Sequence, residues 1–242
     1  SRVSRGLGDV YKRQLYINDL KEANVDFISS PVDLGDETGR CLVYVSPDAQ
    51  RSMRTYLGAA SNLSPENLDT KAFENSEIVY MEGYLWDEPV AKEAYKKAFT
   101  ISQELEIKSA FSLSDKFCVE KWRDEFRSLT ENTDIVFGNE EEIMSLYDTS
   151  ILSNAISAAS NELNLCIITR GEKGSIIISS DGVEEIPSHH CENVIDTTGA
   201  GDLFAAGFLY GISINLRLYE CAKLGSFCAS NVINLFGPRP NK

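Results

Sequence analysis

The sequence of 242 residues lacks an excess of positive charge and lacks any long apolar run. Its 23 lysines and arginines stand against 37 aspartates and glutamates, which leaves a formal net charge of −14. A surface this acidic repels nucleic acid and anionic lipid. No run approaches the roughly 20 apolar residues of a membrane-spanning helix. We therefore expect neither a nucleic-acid nor a membrane partner, and an anionic substrate would need a local site of its own.

Paired cysteine motifs are also missing. The six cysteines are dispersed and form no CxxC pair: Cys41, Cys118, Cys166, Cys191, Cys221 and Cys228. Disulfide frameworks belong to small secreted chains, so reduced thiols and a cytoplasmic location are the better interpretation. His189, His190 and Cys191 are consecutive, and side chains of an extended segment diverge, so we predict no metal cluster there.

The chain begins without methionine, and residues 1–14 (SRVSRGLGDVYKRQ) are basic whereas the remainder is acidic. A secretory signal peptide would need an apolar central stretch, which these residues lack. We interpret residues 1–14 as a foreign or scrambled leader joined to a chain already under way. The regular pattern begins near Leu15, and we treat the sequence as a fragment.

The first part of the regular pattern predicts a helix over Leu15–Asn24 and a short apolar segment at Val25–Ile28. Two strand-like segments, Cys41–Val45 and Met53–Leu57, flank a turn at Ser46-Pro47-Asp48. This hairpin, within about residues 38–57, has mixed polarity. Such a hairpin suits a flap or a sheet edge better than a core.

From Glu77 onward, short apolar strands alternate with helices. Strands are predicted at Glu77–Met81, Ser109–Leu113, Asp134–Phe137, Leu165–Thr169, Ser175–Ser179 and Val183–Ile186. Helices are predicted at Pro89–Glu104, Lys116–Leu129, from Glu140, at Ser153–Leu163, Ala200–Ile214 and Leu218–Asn234. This alternation indicates right-handed crossovers, a mostly parallel sheet and an α/β fold.

The loop Asp196-Thr-Thr-Gly-Ala-Gly-Asp202 precedes a predicted helix. Glycines allow a sharp turn and close approach of a ligand, and the amides of Gly199, Ala200 and Gly201 would form an anion site at the helix start. Asp202 could accept a proton from a substrate hydroxyl. The alternative is a glycine-rich helix entry with an acid in its first turn. A dinucleotide fingerprint is excluded, since Phe204 stands where the third glycine belongs.

Two further motifs have both structural and functional interpretations. Asn139 and Glu142 are three residues apart at a helix start, which is typical of a capping box. The segment Thr169–Gly174 (TRGEKG) joins two apolar strands, as a glycine-bounded turn does.

The run DTTGAGDLFAAGFLYG closely resembles the C-terminal motif of the PfkB/ribokinase family of carbohydrate and nucleoside kinases. The resemblance implies a ribokinase-like three-layer α/β sandwich, a mostly parallel sheet with helices on both faces, and a small β lid. It implies that Asp202 is the catalytic base and that Gly199, Ala200 and Gly201 form the anion hole. Asp196 and Thr198 match positions that hold a monovalent cation such as K⁺ in some members.

The same resemblance gives the other motifs roles in ATP binding. NEEE matches the family's NxxE motif, which implies that Glu142 helps to organise Mg²⁺ through water and that Asn139 lies by the nucleotide. Thr169, Gly171 and Gly174 match a T-x-G-x-x-G turn that lines the nucleotide site. Arg170 and Lys173 could offset nucleotide charge. Glu82-Gly83-Tyr84 matches residues near the substrate, although core packing is an equal alternative for Tyr84.

Residues 15–242 would thus form a PfkB-type kinase domain whose N-terminal part, with the Gly-Gly motif that holds the acceptor, is missing. The expected function is transfer of the γ-phosphate of ATP to a hydroxyl of a nucleoside or sugar. Adenosine is favoured by the segments that begin at Glu37 and Glu82. A ribokinase- or fructokinase-like sugar kinase and a non-catalytic nucleoside- or nucleotide-binding protein are the alternatives. Whether the fragment is active, and whether it dimerises through the lid, stay open.

Overall fold

The computed structural model describes residues 4–5, 10–26 and 37–239. The described residues divide into two compact units. The first holds the described residues up to Ser46, together with Arg51–Ser76 and Leu85–Glu106. The second holds Pro47–Gln50, Glu77–Tyr84 and the chain from Ile107 onward.

The first unit contains a small antiparallel sheet and three helices. Its strands, which pair in the order β1-β2-β3, are β1 (Ser4–Arg5), β2 (Thr38–Val45) and β3 (Arg51–Gly58). Its helices are α1 (Val10–Glu22), α2 (Thr70–Glu74) and α3 (Pro89–Glu104). Strands β2 and β3 confirm the predicted hairpin, with Val43 opposite Met53.

Helix α1 begins at Val10, earlier than the predicted start at Leu15, because the intervening Lys12, Arg13 and Gln14 are good helix formers. Strand β1 was not predicted, and it pairs Ser4 with Cys41. The interpretation of residues 1–14 as a foreign leader stays a prediction. Of the predicted apolar segment Val25–Ile28, the last two residues lie outside the described residues.

The second unit is built on a six-stranded sheet, in the order β4-β5-β6-β7-β8-β9. The strands are β4 (Ile78–Glu82), β5 (Lys108–Ser112), β6 (Ile135–Asn139), β7 (Cys166–Thr169), β8 (Ser175–Ser179) and β9 (Gly182–Ile186). The first four are parallel and the last two are antiparallel. The predicted mostly parallel α/β sheet is therefore confirmed.

Five helices belong to this sheet: α4 (Lys116–Thr130), α5 (Glu140–Leu146), α6 (Leu152–Glu162), α7 (Ala200–Ser213) and α8 (Leu218–Val232). Successive strand residues point to opposite faces. On one face, Ala110 and neighbouring strand residues form a core cluster with Phe204 and Phe208 of α7 and Cys221 of α8. On the other face, Phe111 meets Phe126 of α4, edge to face, with 5.3 Å between ring centroids. Helices therefore cover both faces, as a three-layer sandwich requires.

Helices α7 and α8 approach closely because glycines face each other across them. A Cβ on Gly207 would lie 2.9 Å from the Cα of Gly225 and 2.9 Å from the Sγ of Cys228. A Cβ on Gly211 would lie 2.8 Å from the Sγ of Cys221. This packing fixes α7, whose first turn carries the predicted phosphate loop.

The parallel strands end in polar side chains at a single edge of the sheet: Glu82, Ser112, Asn139 and Thr169. In open α/β sheets, ligands bind outside this edge. Among the described helices, none is long and apolar enough to cross a membrane.

Candidate functional site

The loop that enters α7 is anchored by a buried carboxylate. Asp196 is only 2% exposed. Its Oδ1 accepts hydrogen bonds from the backbone N of Thr198 at 2.9 Å and from Thr198 Oγ1 at 2.6 Å. Its Oδ2 accepts one from the N of Gly237 at 2.9 Å. These bonds hold the loop to the segment that follows α8.

The backbone turns sharply at Gly199, whose φ of 81° lies in the left-handed region. A Cβ at this position would lie 2.7 Å from the Cβ of Pro238. Only glycine fits both requirements. Gly201 differs, because a Cβ there would meet no atom within 4 Å. The space beside Gly201 is thus open to a ligand.

The amides of Gly199, Ala200 and Gly201 stand at the N-terminus of α7, as predicted. One of them is already engaged, since the N–H of Ala200 donates to the carbonyl O of Thr197 at 3.3 Å. This bond is longer than an ordinary N–H···O bond. Asp202 lies in the first turn of α7 and is exposed.

The charge of Asp202 reaches the end of β4. Burial raises the pKa of the Glu82 carboxyl, and the negative charge of Asp202 raises it further. The hydroxyl of Tyr80 donates to Glu82 Oε1 at 3.4 Å. Burial first and Asp115 next raise the pKa of Tyr84, with a smaller contribution from Asp202. The predicted base and the predicted substrate-side residues Glu82 and Tyr84 therefore share one electrostatic environment.

Ser114 fixes the chain just beyond β4 and was not singled out by the sequence. Its Oγ accepts from the N of Gly83 at 2.8 Å, and its carbonyl O accepts from the hydroxyl of Tyr84 at 2.9 Å. Ser114 has a φ of 70°, a left-handed conformation that is uncommon outside glycine. Such strained residues cluster at functional sites, but a serine carries no sequence signal for it.

Thr197 makes a second contact that the sequence did not indicate. Within the second unit, its Oγ1 donates to the carbonyl O of Ala49 at 3.3 Å. Ala49 lies in the turn between β2 and β3, is 6% exposed and has a φ of 62°. The loop that enters α7 is therefore also held at its middle.

Asn139 and Glu142 form the predicted capping box at the start of α5. The N of Glu142 donates to Asn139 Oδ1 at 2.9 Å, and the N of Asn139 donates to Glu142 Oε2 at 2.9 Å. Glu142 Oε1 also accepts from Asn139 Nδ2 at 2.6 Å. Glu142 is 7% exposed. Both carboxylate oxygens of Glu142 therefore take part in the capping box.

The turn Thr169–Gly174 lies beside this box, because Thr169 is the register partner of Asn139 on the neighbouring strand. Gly171 and Gly174 have φ values of 58° and 90°. A Cβ on Gly174 would lie 2.0 Å from the carbonyl O of Ile186, whereas one on Gly171 would meet nothing within 4 Å. The turn thus packs on the sheet at Gly174 and is open at Gly171.

Arg170 does not have a free guanidinium. Its Nε donates to Glu140 Oε1 at 2.7 Å and its Nη1 to Glu185 Oε2 at 3.0 Å. The hydrogen bond to Glu140 is the main cause of the raised pKa of Arg170. Lys173 Nζ lies 3.9 Å from Glu140 Oε2. Arg170 is therefore already paired with two carboxylates, and its part in offsetting nucleotide charge stays a prediction.

The His189–Cys191 segment makes separate contacts. The His189 ring meets the Phe227 ring edge to face at 5.3 Å, and the Cys191 Sγ contacts Asn234 Oδ1 at 3.4 Å. Across the described residues, no three His, Cys, Asp or Glu side chains are grouped closely enough to hold a metal ion.

A mostly parallel sheet, a glycine-rich loop before α7 and a carboxylate in the first turn of that helix are the arrangement expected of a phosphotransferase. The family model described as pfkB family carbohydrate kinase matches residues 7–242. The chain belongs to this family. The match begins within the predicted leader.

Relatives and solved structures agree with this membership. An adenosine kinase structure from Sinorhizobium meliloti has 38% identity and a TM-score of 0.93, covering 97% of this chain and 72% of that one. An adenosine kinase of Schizosaccharomyces pombe is 28% identical over 236 residues, 87% of this chain and 68% of the relative. An E. coli structure named Ribokinase II, in complex with ATP and Mg²⁺, has 23% identity and a TM-score of 0.85, covering 96% of this chain and 76% of that one. This third likeness shows the fold alone.

Proposed function

We propose that the protein carrying this chain transfers the γ-phosphate of ATP to a hydroxyl of a nucleoside, with adenosine as the first choice. The observation that carries the proposal is the Asp196–Asp202 loop, in which Gly199 is confined by its φ and by Pro238 while Gly201 opens on free space. Family membership supports the kinase chemistry. The names of the S. meliloti and S. pombe relatives support adenosine.

Asp202 is proposed as the general base, which accepts the proton of the acceptor hydroxyl as that oxygen attacks the γ-phosphorus. Its exposure at the open end of the loop supports this role. Gly199, Ala200 and Gly201 are proposed to hold the transferring phosphate with their amides, assisted by the positive end of the α7 dipole. The long bond from Ala200 to Thr197 is weak enough to be exchanged for a phosphate oxygen.

Asn139, Thr169, Gly171 and Gly174 are proposed to line the nucleotide. The adjacency of Asn139 and Thr169 and the open space at Gly171 support this placement. Glu142 fits a role in holding Mg²⁺ through water, because it places a carboxylate at the start of α5 and Mg²⁺ retains several waters. When bound, Mg²⁺ neutralises charge on the phosphates.

A monovalent cation such as K⁺ is proposed at Asp196 and Thr198, where a nearly fully buried carboxylate lies beside a threonine hydroxyl. This assignment rests on the resemblance of the motif, and a dependence of turnover on K⁺ over the larger organic cation choline would test it.

Dimerisation through the lid and a cytoplasmic location are also proposals. Leu42, Tyr44 and Tyr56 share one face of the β2–β3 hairpin by register and are 43%, 64% and 48% exposed, which supports pairing with a second copy. None of the six cysteines, all of which lie in the described residues, is in a disulfide bond, which fits a reducing compartment.

A coupled assay of ADP release tests the acceptor. The full-length protein is supplied with MgATP and, one at a time, with adenosine, other nucleosides, ribose and fructose. We expect the highest kcat/KM with adenosine. Acceptance of sugars and no nucleoside would move the protein to the sugar kinases and leave the kinase assignment intact. ATP binding without ADP release for any acceptor would favour a non-catalytic binding protein, an alternative that the retained Asp202, loop glycines and Glu142 argue against.

A further inference from the structure

Arg170 connects two motifs that follow different strands: its own turn, Thr169–Gly174, follows β7, and the first turn of α5 follows β6. Its guanidinium reaches Glu140 in the first turn of α5 and Glu185 on β9. Its side chain is 16% exposed, and that of Glu140 is 27% exposed. An ion pair this shielded from water is screened less than a surface pair. The contact is also directional, because guanidinium and carboxylate meet through hydrogen bonds.

Contacts other than those of Arg170 also reach the turn. Ser188 Oγ donates to the carbonyl O of Glu172 at 2.7 Å, and Lys173 Nζ lies 3.9 Å from Glu140 Oε2, a longer contact than the 2.7 Å bond from Arg170. Gly171 has free space around it, and both turn glycines have backbone conformations with positive φ. Inside the turn, the N of Arg170 donates to the O of Gly174 at 2.8 Å and the N of Gly174 donates to the O of Gly171 at 3.0 Å. These bonds set the local shape of the turn. They do not tie it to α5.

The helix on the other side begins with the motif proposed to serve Mg²⁺. Glu140 directly follows Asn139 and stands two residues before Glu142. Because Asn139 and Glu142 are locked together by three hydrogen bonds, the first turn of α5 moves as one piece. A bond to Glu140 therefore also sets the position of Glu142.

We propose that Arg170 is a positioning residue that ties the turn Thr169–Gly174 to the first turn of α5 through Glu140, so that the nucleotide-side turn and Glu142 keep one spacing. The inference rests on the proposed function, since it takes these two motifs to be the nucleotide and Mg²⁺ sides of a single site. Arg170 itself does not touch the nucleotide, because its hydrogen bonds go to Glu140 and Glu185.

Binding of ADP to this chain, measured by calorimetry with Mg²⁺ and again with EDTA, tests the inference. We expect Arg170→Met to weaken MgADP binding about tenfold, the low end for residues that support a metal site. The loss should be smaller with EDTA, because the spacing to Glu142 matters only when Mg²⁺ is bound. Arg170→Lys, which keeps the charge but lacks the rigid planar set of donors of the guanidinium, should fall between wild type and Arg170→Met.

The Glu140→Gln variant distinguishes a positioning role of Arg170 from direct contact of Arg170 with the nucleotide. If the ion pair between Arg170 and Glu140 positions the two motifs, Glu140→Gln by itself weakens MgADP binding. The double variant with Arg170→Met then binds MgADP no more weakly than the weaker-binding single variant. If Arg170 instead contacted the phosphates, Glu140→Gln would release it and leave binding unchanged or tighter. That outcome, or additive losses in the double variant, would overturn the inference.

Arg127→Met is the matched control. Arg127 of α4 pairs with Glu162 of α6 at 2.6 Å, so this variant also removes an arginine–glutamate pair between two elements. We expect its MgADP affinity to equal that of the wild type. Equal MgADP affinity of Arg170→Met and wild type would overturn the inference and leave the proposed function in place. Absence of nucleotide binding by the unchanged chain would overturn the proposed function and the inference with it.

Discussion

Single residues of the loop that enters α7 are constrained for different physical reasons. Gly199 is required by a left-handed backbone and by the nearness of Pro238, whereas Gly201 is under no steric demand from the protein. In our proposal, the close approach of a phosphate to the backbone is the reason for a glycine at position 201. Asp196 links the loop to the segment after α8, because its carboxylate accepts hydrogen bonds from the backbone N of Thr198 and of Gly237.

Glu142 serves the fold and, in our proposal, Mg²⁺, and two substitutions separate the two duties. Glutamine keeps the capping bond from the N of Asn139, but its Nε2 cannot accept the second bond from Asn139 Nδ2. Glu142→Gln should therefore lower stability by about 0.5–1.5 kcal/mol, less than Glu142→Ala. Because glutamine lacks the negative charge, the Mg²⁺ concentration needed for half-maximal ADP binding should rise about tenfold. Calorimetric Mg²⁺ titrations would check this. Glu142→Ala, the control, should lower both stability and Mg²⁺ response; an unchanged Mg²⁺ response in both variants would contradict the role.

Glu82 predicts a pH dependence of stability. Its pKa is raised in the folded state, first by burial and then by Asp202. The folded protein thus binds this proton more tightly than the unfolded chain, and the ionised carboxylate destabilises the fold at high pH. Glu82→Gln should be more stable than wild type at about pH 8, and the difference should vanish as pH falls below the ordinary glutamate pKa of about 4.3.

Urea unfolding at several pH values measures the Glu82 effect. The exposed Glu184 of β9 provides the control, since Glu184→Gln removes a surface carboxylate and should change stability little. A stability gain of Glu82→Gln that stayed constant across the pH range would show that charge is not its cause.

At the scale of elements, the contact between α7 and α8 sets the position of the loop. Gly207→Ala would place a methyl 2.9 Å from the backbone of α8. Alanine favours a helix by up to about 1 kcal/mol over glycine, but overpacking costs about 1–3 kcal/mol. We expect a net loss of stability by urea unfolding. Gly201→Ala, which meets open space in the same helix, should be neutral or stabilising; an equal loss in both variants would contradict the packing argument.

The strands and helices of the second unit follow the sequence closely because each has a local signal. Buried apolar runs mark β5 to β8, and Asn139 with Glu142 marks the start of α5. The predicted start of α1 was wrong because the first residues of this helix favour a helix without showing an apolar pattern. The two-residue strand β1 is too short to carry any periodicity.

The candidate site was predictable only where a motif is contiguous. The α7 loop, the capping box and the glycine turn are each read from neighbouring residues. By contrast, Arg170 meets Glu140 and Glu185 across 30 and 15 positions of sequence. The φ of Ser114 and the contact of Thr197 with Ala49 also depend on tertiary structure. No spacing rule links such residues before the sheet brings them together.

At the scale of the whole molecule, a net charge of −14 opposes the approach of a polyphosphate. In our proposal, backbone amides and the helix dipole at the start of α7 attract the phosphates without any basic side chain. Arg170, in the turn Thr169–Gly174, is already paired with two carboxylates. We therefore expect the α7 loop to contribute most of the phosphate binding and Mg²⁺ the rest.

The central claim is that Asp202 is the base of a kinase whose loop binds phosphate independently of it. The most direct measurement compares Asp202→Asn with wild type in the full-length protein, by adenosine-dependent ADP release and by the Kd for MgATP. Because asparagine keeps the shape and loses the proton acceptor, turnover should fall at least about 10²–10⁴-fold. The Kd for MgATP should stay nearly unchanged. Turnover equal to wild type would remove Asp202 from the mechanism and contradict the account.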